Sequence, residues 1–358
     1  MSSHPFHPKP ILASACATLT LFVAASCASS TGGGSFDLPA PGEKEIPLLE
    51  RLAPEDGTII SALETGMTKR YEELTPKGRT LFTEDEWDTA VEAVEGHAEL
   101  LTYSSDGLRI GGLLVRPAST EGRRLGAVVV NRDGLAGRGL DEDLILADLS
   151  RYAKEGFVAA ASAYRGNRLS QGVDELGGDD VHDVLSMVAL LQRLDYVDPN
   201  RIFMVGFGRG GLMTYRALEM GAPVRAAAVI SGASDIDEIE GFDPEISNGF
   251  EDAGGWPGLA EIHGGWGGPE KRRQLERRNP RIRADSCTTP LLVVHGRLDE
   301  AVPVAQALCV TTRVRKNGTP IEALIYGYGD HSLVEQQADW RSRVMAWLKR
   351  HDTRSLLN

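Results

Sequence analysis

Runs of apolar, β-rich residues alternate with amphipathic stretches along most of the chain, and that alternation leaves few folds open. The runs are Ala127–Val130, Phe157–Ala161, Ile202–Val205, Ala226–Ile230, Leu291–Val294 and Ile321–Ile325. Helical spacing of apolar residues marks Asp141–Glu155, Asp180–Leu194, Gly211–Met220, Val304–Lys316 and Ser332–His351. Strands joined through helices pair in parallel, because a parallel crossover needs a connection of that length. A parallel sheet is covered on both faces, so its strands read as unbroken apolar runs. Ahead of these units, Leu100–Tyr103 and Leu108–Val115 flank Ser105-Asp106-Gly107, a hairpin signal. An antiparallel opening followed by parallel βα units predicts an α/β protein with a mostly parallel sheet of about eight strands, helices on both faces.

The run Arg201-Ile-Phe-Met-Val-Gly-Phe-Gly-Arg-Gly-Gly-Leu carries a strand into a glycine-dense turn and then a helix. This is the context of G-x-S-x-G, in which a strained turn lifts a serine hydroxyl above the sheet. Gly206 and Gly210 frame the turn, but the serine position holds Gly208, which has no side chain to attack with. The same residues satisfy G-x-G-x-x-G through Gly206, Gly208 and Gly211, with Asp235 as a loose acidic partner for a dinucleotide. Against that reading, the motif lies mid-chain behind several strands, whereas a dinucleotide domain usually opens with it. The residues downstream also fit another constellation. Asp299 follows the strand at 291–294 and His331 follows the next strand, giving the order turn, acid, histidine. A carboxylate there fixes the imidazole tautomer and stabilises its protonated form.

With these motifs in place, the chain resembles the catalytic domain of the prolyl-oligopeptidase family of serine peptidases, an α/β-hydrolase fold. The resemblance runs from about Thr102 to His351 and is carried by Ser105-Asp106-Gly107-Leu108, Tyr164-Arg165-Gly166 and Asp198-Pro199-Asn200-Arg201-Ile202. It continues through Asn279-Pro280, Thr289-Pro290-Leu291-Leu292-Val293-Val294-His295-Gly296, Asp299-x-x-Val302-Pro303 and His331. It implies Asp299 and His331 as the acid and the histidine, Gly208 at the nucleophile position, and the Arg209 backbone N–H as one oxyanion donor. It implies a peptide or a small ester- or amide-like ligand, and neither a cofactor nor a metal. The chain departs from the family in Asn131-Arg132-Asp133-Gly134, where relatives often carry a His-Gly-Gly type oxyanion loop, and in having no β-propeller. Glycine takes the positive φ of such a turn freely, so Gly208 relaxes the fold while removing the chemistry.

Other clusters have plainer readings. Asp179, His182 and Asp183 could share a helical face toward a metal, but carboxylates at a helix N-terminus suit the helix dipole. Arg165 reads as a structural ion pair, and Lys271 through Arg278 as a solvated helix face. Residues 236–285, with Trp256 and Trp266 in glycine-rich surroundings, read as a lid-like insert.

The ends of the chain and its charge complete the reading. An apolar stretch from Ile11 to Ala25 with Lys9 ahead of it reads as a secretory signal. Ala24-Ala25-Ser26-Cys27 resembles a lipobox; the alternative is an ordinary signal peptide with a chance cysteine. The expected organisation is a lipoprotein-type signal over 1–26, a tether over 27–45, a helical extension over 46–95 and the hydrolase-like domain over 96–352. The protein is then exported and anchored in the bacterial envelope, on the periplasmic side, by a lipid on Cys27, its only membrane contact. A net charge of −13 argues against nucleic acid. Cys287 and Cys309 could be bridged or be two separate buried thiols, and nothing in the sequence sets an oligomeric state.

Overall fold

The computed structural model describes residues 52–119, 122–134, 141–236 and 269–352. The signal, Cys27, the tether, and Trp256 and Trp266 of the insert lie outside the described residues.

The parallel units form as their patterns require. Strands β1 (Ile59–Thr65), β2 (Ala98–Ser105), β3 (Leu108–Val115), β4 (Leu125–Asn131), β5 (Val158–Ser162), β6 (Val197–Phe207), β7 (Ala227–Ile230), β8 (Leu291–Gly296) and β9 (Ile321–Tyr326) make one sheet. Their order is β1-β2-β3-β5-β4-β6-β7-β8-β9. The pairs from β1 to β3 and β3 with β5 are antiparallel, and every pair from β5 through β4 to β9 is parallel.

Successive residues on each strand feed opposite cores. Ala127 and Val129, Ile202 and Met204, and Leu291 and Val293 join one core with helices α4 (Val181–Arg193), α5 (Arg209–Glu219) and α7 (Val304–Lys316). Val128 and Val130, Phe203 and Val205, and Leu292 and Val294 join the other with α3 (Glu142–Lys154) and α8 (Gln337–His351). The remaining helices are α1 (Pro76–Leu81), α2 (Glu84–Val94) and α6 (Pro269–Arg277). Helix α2 starts in the capping box that Thr83 and Glu86 encode, with Glu86 N–H donating to Thr83 Oγ1 at 3.2 Å and Thr83 N–H donating to Glu86 Oε2 at 2.9 Å. Its Trp87 is fully buried in a small cluster with Phe82 and with Ala147 of α3.

Three sequence expectations change, and one open alternative is resolved. The sheet has nine strands rather than eight, because β1 from the N-terminal segment joins its edge. Its side chains are almost all exposed, Leu63 at 67%, so it carries no inward apolar alternation and is held by the ladder to β2. The last helix begins at Gln337 instead of Ser332, since the Asp330 carboxylate caps a turn by accepting from Ser332 Oγ and Leu333 N–H. Arg278 is not on a solvated face: it is wholly buried and donates to the carbonyls of Glu175 and Gln274. Cys287 and Cys309 are two buried, unbridged thiols.

Helix α5 sits unusually close to the strand ends. A Cβ on Gly210 would stand 1.8 Å from the Asn131 carbonyl oxygen at the end of β4, and one on Gly206 would stand 2.1 Å from the Gly210 carbonyl. Both obstacles are backbone and cannot rotate away. Gly210→Ala is therefore expected to destabilise the fold by about 3 kcal/mol or more, the upper end of overpacking costs. Urea unfolding of the variant against wild type measures it.

Candidate active site

The turn between β6 and α5 is the strained one that the sequence suggests. Gly208 has φ 54° and ψ −117°, and its N–H donates to Ile230 O on the neighbouring strand at 2.9 Å. Helix α5 then begins at Arg209, two residues earlier than its apolar pattern suggests.

Asp299 and His331 come together beside this turn. Asp299 lies in the loop after β8, where its Oδ1 accepts from the N–H groups of Ala301 at 3.0 Å and Val302 at 2.7 Å. Its Oδ2 stands 2.9 Å from His331 Nδ1 and 3.1 Å from His295 Nε2. His331 is carried on the Asp330–Leu333 turn after β9, and its ring meets Phe207, the residue before Gly208, edge-on at 5.8 Å. A carboxylate that accepts from Nδ1 leaves Nε2 as the free base, so the pair can take up a proton.

The electrostatics favour the charged pair. Burial pulls the His331 pKa down, but the hydrogen bond to Asp299 and the charges of Asp299, Asp133 and Asp330 outweigh it and raise it. Burial pushes Asp299 up, but hydrogen bonds from His295, His331 and the Val302 N–H hold it well below the usual carboxylate range. The imidazole's contribution to stability is thus complete below its unfolded pKa and lost as pH rises through its folded one. The carboxylate's is present above its unfolded pKa and lost as pH falls through its folded one.

Arg209 behaves differently from the sequence expectation. Its backbone N–H, expected to face a substrate oxygen, already donates to Asp133 Oδ1 at 3.0 Å. A Cβ on Gly208 would meet that same oxygen at 2.4 Å. Asp133 enters the sequence reading only as part of the departing Asn131–Gly134 loop, and its contact with the turn is what that reading missed. The sequence pointer to it is that loop's place after the third predicted strand, where relatives often carry oxyanion contacts; that β4 lies beside β6 emerges only in the sheet order. The Arg209 side chain runs the other way into the protein. It donates to Asp174, to Asp180 Oδ2 at 2.8 Å and to Gly134 O at 3.0 Å, and lies over the Tyr164 ring at 4.9 Å. Arg132 covers the same ring at 4.6 Å and donates to the carbonyls of Asp133 and Gly134.

The remaining candidates have structural partners. Arg165 binds Asp183 and Asp106, each at 2.8 Å; His182 Nδ1 lies 2.7 Å from Asp106, and Asp179 pairs with Arg277. Asp235, the acid of the dinucleotide reading, pairs with Arg281. Among the described residues, no group of three or more His, Cys, Asp or Glu is arranged to hold a metal.

Comparison with known proteins places this geometry. The model of the prolyl oligopeptidase family matches residues 147–353. The chain belongs to that family. The peptidase YtmA of Bacillus subtilis, itself uncharacterized, is 29% identical over 239 residues, covering 66% of this chain and 87% of YtmA. The human acylamino-acid-releasing enzyme is 25% identical over 220 residues, 55% of this chain but 28% of the enzyme. Among solved structures, an acylaminoacyl peptidase in complex with a Z-Gly-Gly-Phe chloromethyl ketone superposes with a TM-score of 0.55 at 19% identity, covering 70% of this chain and 41% of that one. A puromycin-hydrolyzing peptidase of Mycobacterium tuberculosis gives 0.56 at 22%, covering 70% and 39%. The fold is the α/β-hydrolase fold, and the chain spans well under half of these longer relatives.

The charges around His331 can be read by titration. Its imidazole should titrate above its ordinary value by NMR. Asp133→Asn should lower the midpoint and Asp299→Asn should lower it further. A midpoint at or below the ordinary value in the wild type contradicts the arrangement.

Proposed function

We propose that this chain is a prolyl-oligopeptidase-type hydrolase that has lost serine acyl transfer and binds a peptide or a small ester- or amide-like ligand in the inherited site. The observation that carries the reading is the pairing of Gly208 with Asp133. The turn residue has no hydroxyl, and a carboxylate stands on the neighbouring N–H where an acyl oxyanion would be stabilised. Loss of the serine from a comparable triad costs roughly a millionfold in turnover. An occupied oxyanion donor removes a further contribution of about a hundredfold to a thousandfold. The peptidase names of the relatives support a peptide-like ligand. The signal and the lipobox support export, with anchoring in the bacterial envelope through Cys27.

A second reading, an active hydrolase with another nucleophile, is favoured by one observation: the His331–Asp299 contact is intact although, among the described residues, no serine is hydrogen-bonded to His331.

The test is labelling with a fluorophosphonate and turnover of activated esters. The wild type is expected to be silent in both. Gly208→Ser alone should stay weak, because Asp133 still occupies the Arg209 N–H. Gly208→Ser with Asp133→Gly should exceed it by roughly a hundredfold or more. Labelling of any wild-type serine beside His331 overturns the reading.

A further inference from the structure

We propose that Asp133 is a covalent nucleophile, attacking a saturated carbon that bears a leaving group, so that the site forms and then hydrolyses an aspartyl ester. The inference rests on the absence of acyl-serine chemistry proposed above and adds an activity to the same site.

Position comes first. A Cβ at residue 208 would lie 2.4 Å from Asp133 Oδ1 and 3.2 Å from Oδ2, so the carboxylate fills the volume that a nucleophile on the turn would use. The two oxygens are not equivalent. Oδ1 accepts the Arg209 N–H at 3.0 Å, while Oδ2 accepts no hydrogen bond among the described residues. The segment that carries the carboxylate is pinned, because Arg132 donates to the backbone carbonyls of Asp133 and Gly134. A carboxylate held by one oxygen, with the other unengaged among the described residues, is a preorganised nucleophile.

The hydrogen bond on Oδ1 selects the electrophile. Attack on an acyl carbon would build negative charge on the substrate oxygen, and the N–H that could receive it is already engaged by Asp133. Displacement at saturated carbon builds no such oxyanion. Asp133 Oδ2 forms the new C–O bond, the bond from that carbon to its leaving group breaks, and the leaving group, a halide in the probes used below, departs with the electron pair. Water is then the second reactant. His331, with Nδ1 held by Asp299, takes a proton from water at Nε2 as the oxygen adds to the Asp133 carboxyl carbon. The charge that develops at this step falls on Oδ1, the oxygen to which Arg209 N–H already points. Collapse expels the alcohol, which takes its proton from His331; the carboxylate is restored as the remaining carboxyl proton passes to solvent. The net reaction is alkyl halide plus water giving alcohol, halide and a proton. The charges of Asp133, Asp299 and Asp330 all act on the histidine. Their negative charge disfavours anionic substrates and leaves neutral or cationic alkyl electrophiles as the substrate class, for which neutral primary alkyl halides are the probe.

The experiment uses the full purified chain and a panel of primary alkyl bromides, bromobutane and bromohexane among them. In heavy-oxygen water the wild type is expected to release bromide continuously, and peptide mass spectrometry should recover heavy oxygen in the Asp133 carboxylate. His331→Ala should stop after a stoichiometric burst of bromide, leaving the alkyl group on Asp133. Asp133→Asn should show no burst and no adduct, with its melting temperature establishing that it is folded. No bromide release by the wild type and no adduct on His331→Ala across the panel overturn the proposal. So does heavy oxygen found in the alcohol alone. The fluorophosphonate result stands separately. A serine labelled beside His331 defeats the loss of acyl transfer, whereas an unlabelled protein that gains no alkyl group defeats only the role of Asp133.

Discussion

Arg209 ties the interior of the protein to its site, and the arrangement around it depends on that single residue. Its guanidinium is buried between Asp174 and Asp180 and against Tyr164, while its backbone N–H opens α5 toward Asp133. The acidic partners come from the loop before α4 and from the N-terminus of α4 itself. The cluster therefore fixes the first turn of α5 relative to α4 as well as to the sheet. Buried ion pairs of this kind contribute little net stability, yet removing one partner leaves an uncompensated charge. They set where a helix begins more than how firmly the chain folds.

On the other side of the turn, two histidines converge on one carboxylate. His295 and His331 both approach Asp299 Oδ2, and two backbone N–H groups hold Oδ1. Asp299 thus stays ionised within the protein, and His331 sits in a strongly negative field. The site combines a base of raised pKa, a carboxylate in front of it and a turn without a side chain.

How much of this could be read from the chain varies with the kind of evidence each residue leaves in it. The parallel core was legible because strands buried on both faces have to be continuous apolar runs, as Val128–Val130 and Leu291–Val294 are. The order Gly208, Asp299, His331 was legible because each follows such a run. Strand β1 was not, since backbone hydrogen bonds leave no mark on side-chain pattern. Arg278 was not either, since its burial depends on carbonyls of Glu175 and Gln274 that face it only after folding. Asp133 was legible only as a member of the departing Asn131–Gly134 loop, and its carboxylate's part in the site was not, for a third reason. Its carboxylate matters only because β4 lies next to β6 and because residue 208 leaves space, two facts separated by most of the domain's topology.

The unbridged pair, Cys287 before β8 and Cys309 on α7, has a consequence of its own. Among the described residues, no cross-link helps to hold the fold. Both sulfurs are shielded in the native packing. A bulky thiol reagent reaches them only during excursions that part α7 from the sheet, so the speed of their modification is a clock for how often that flank breathes.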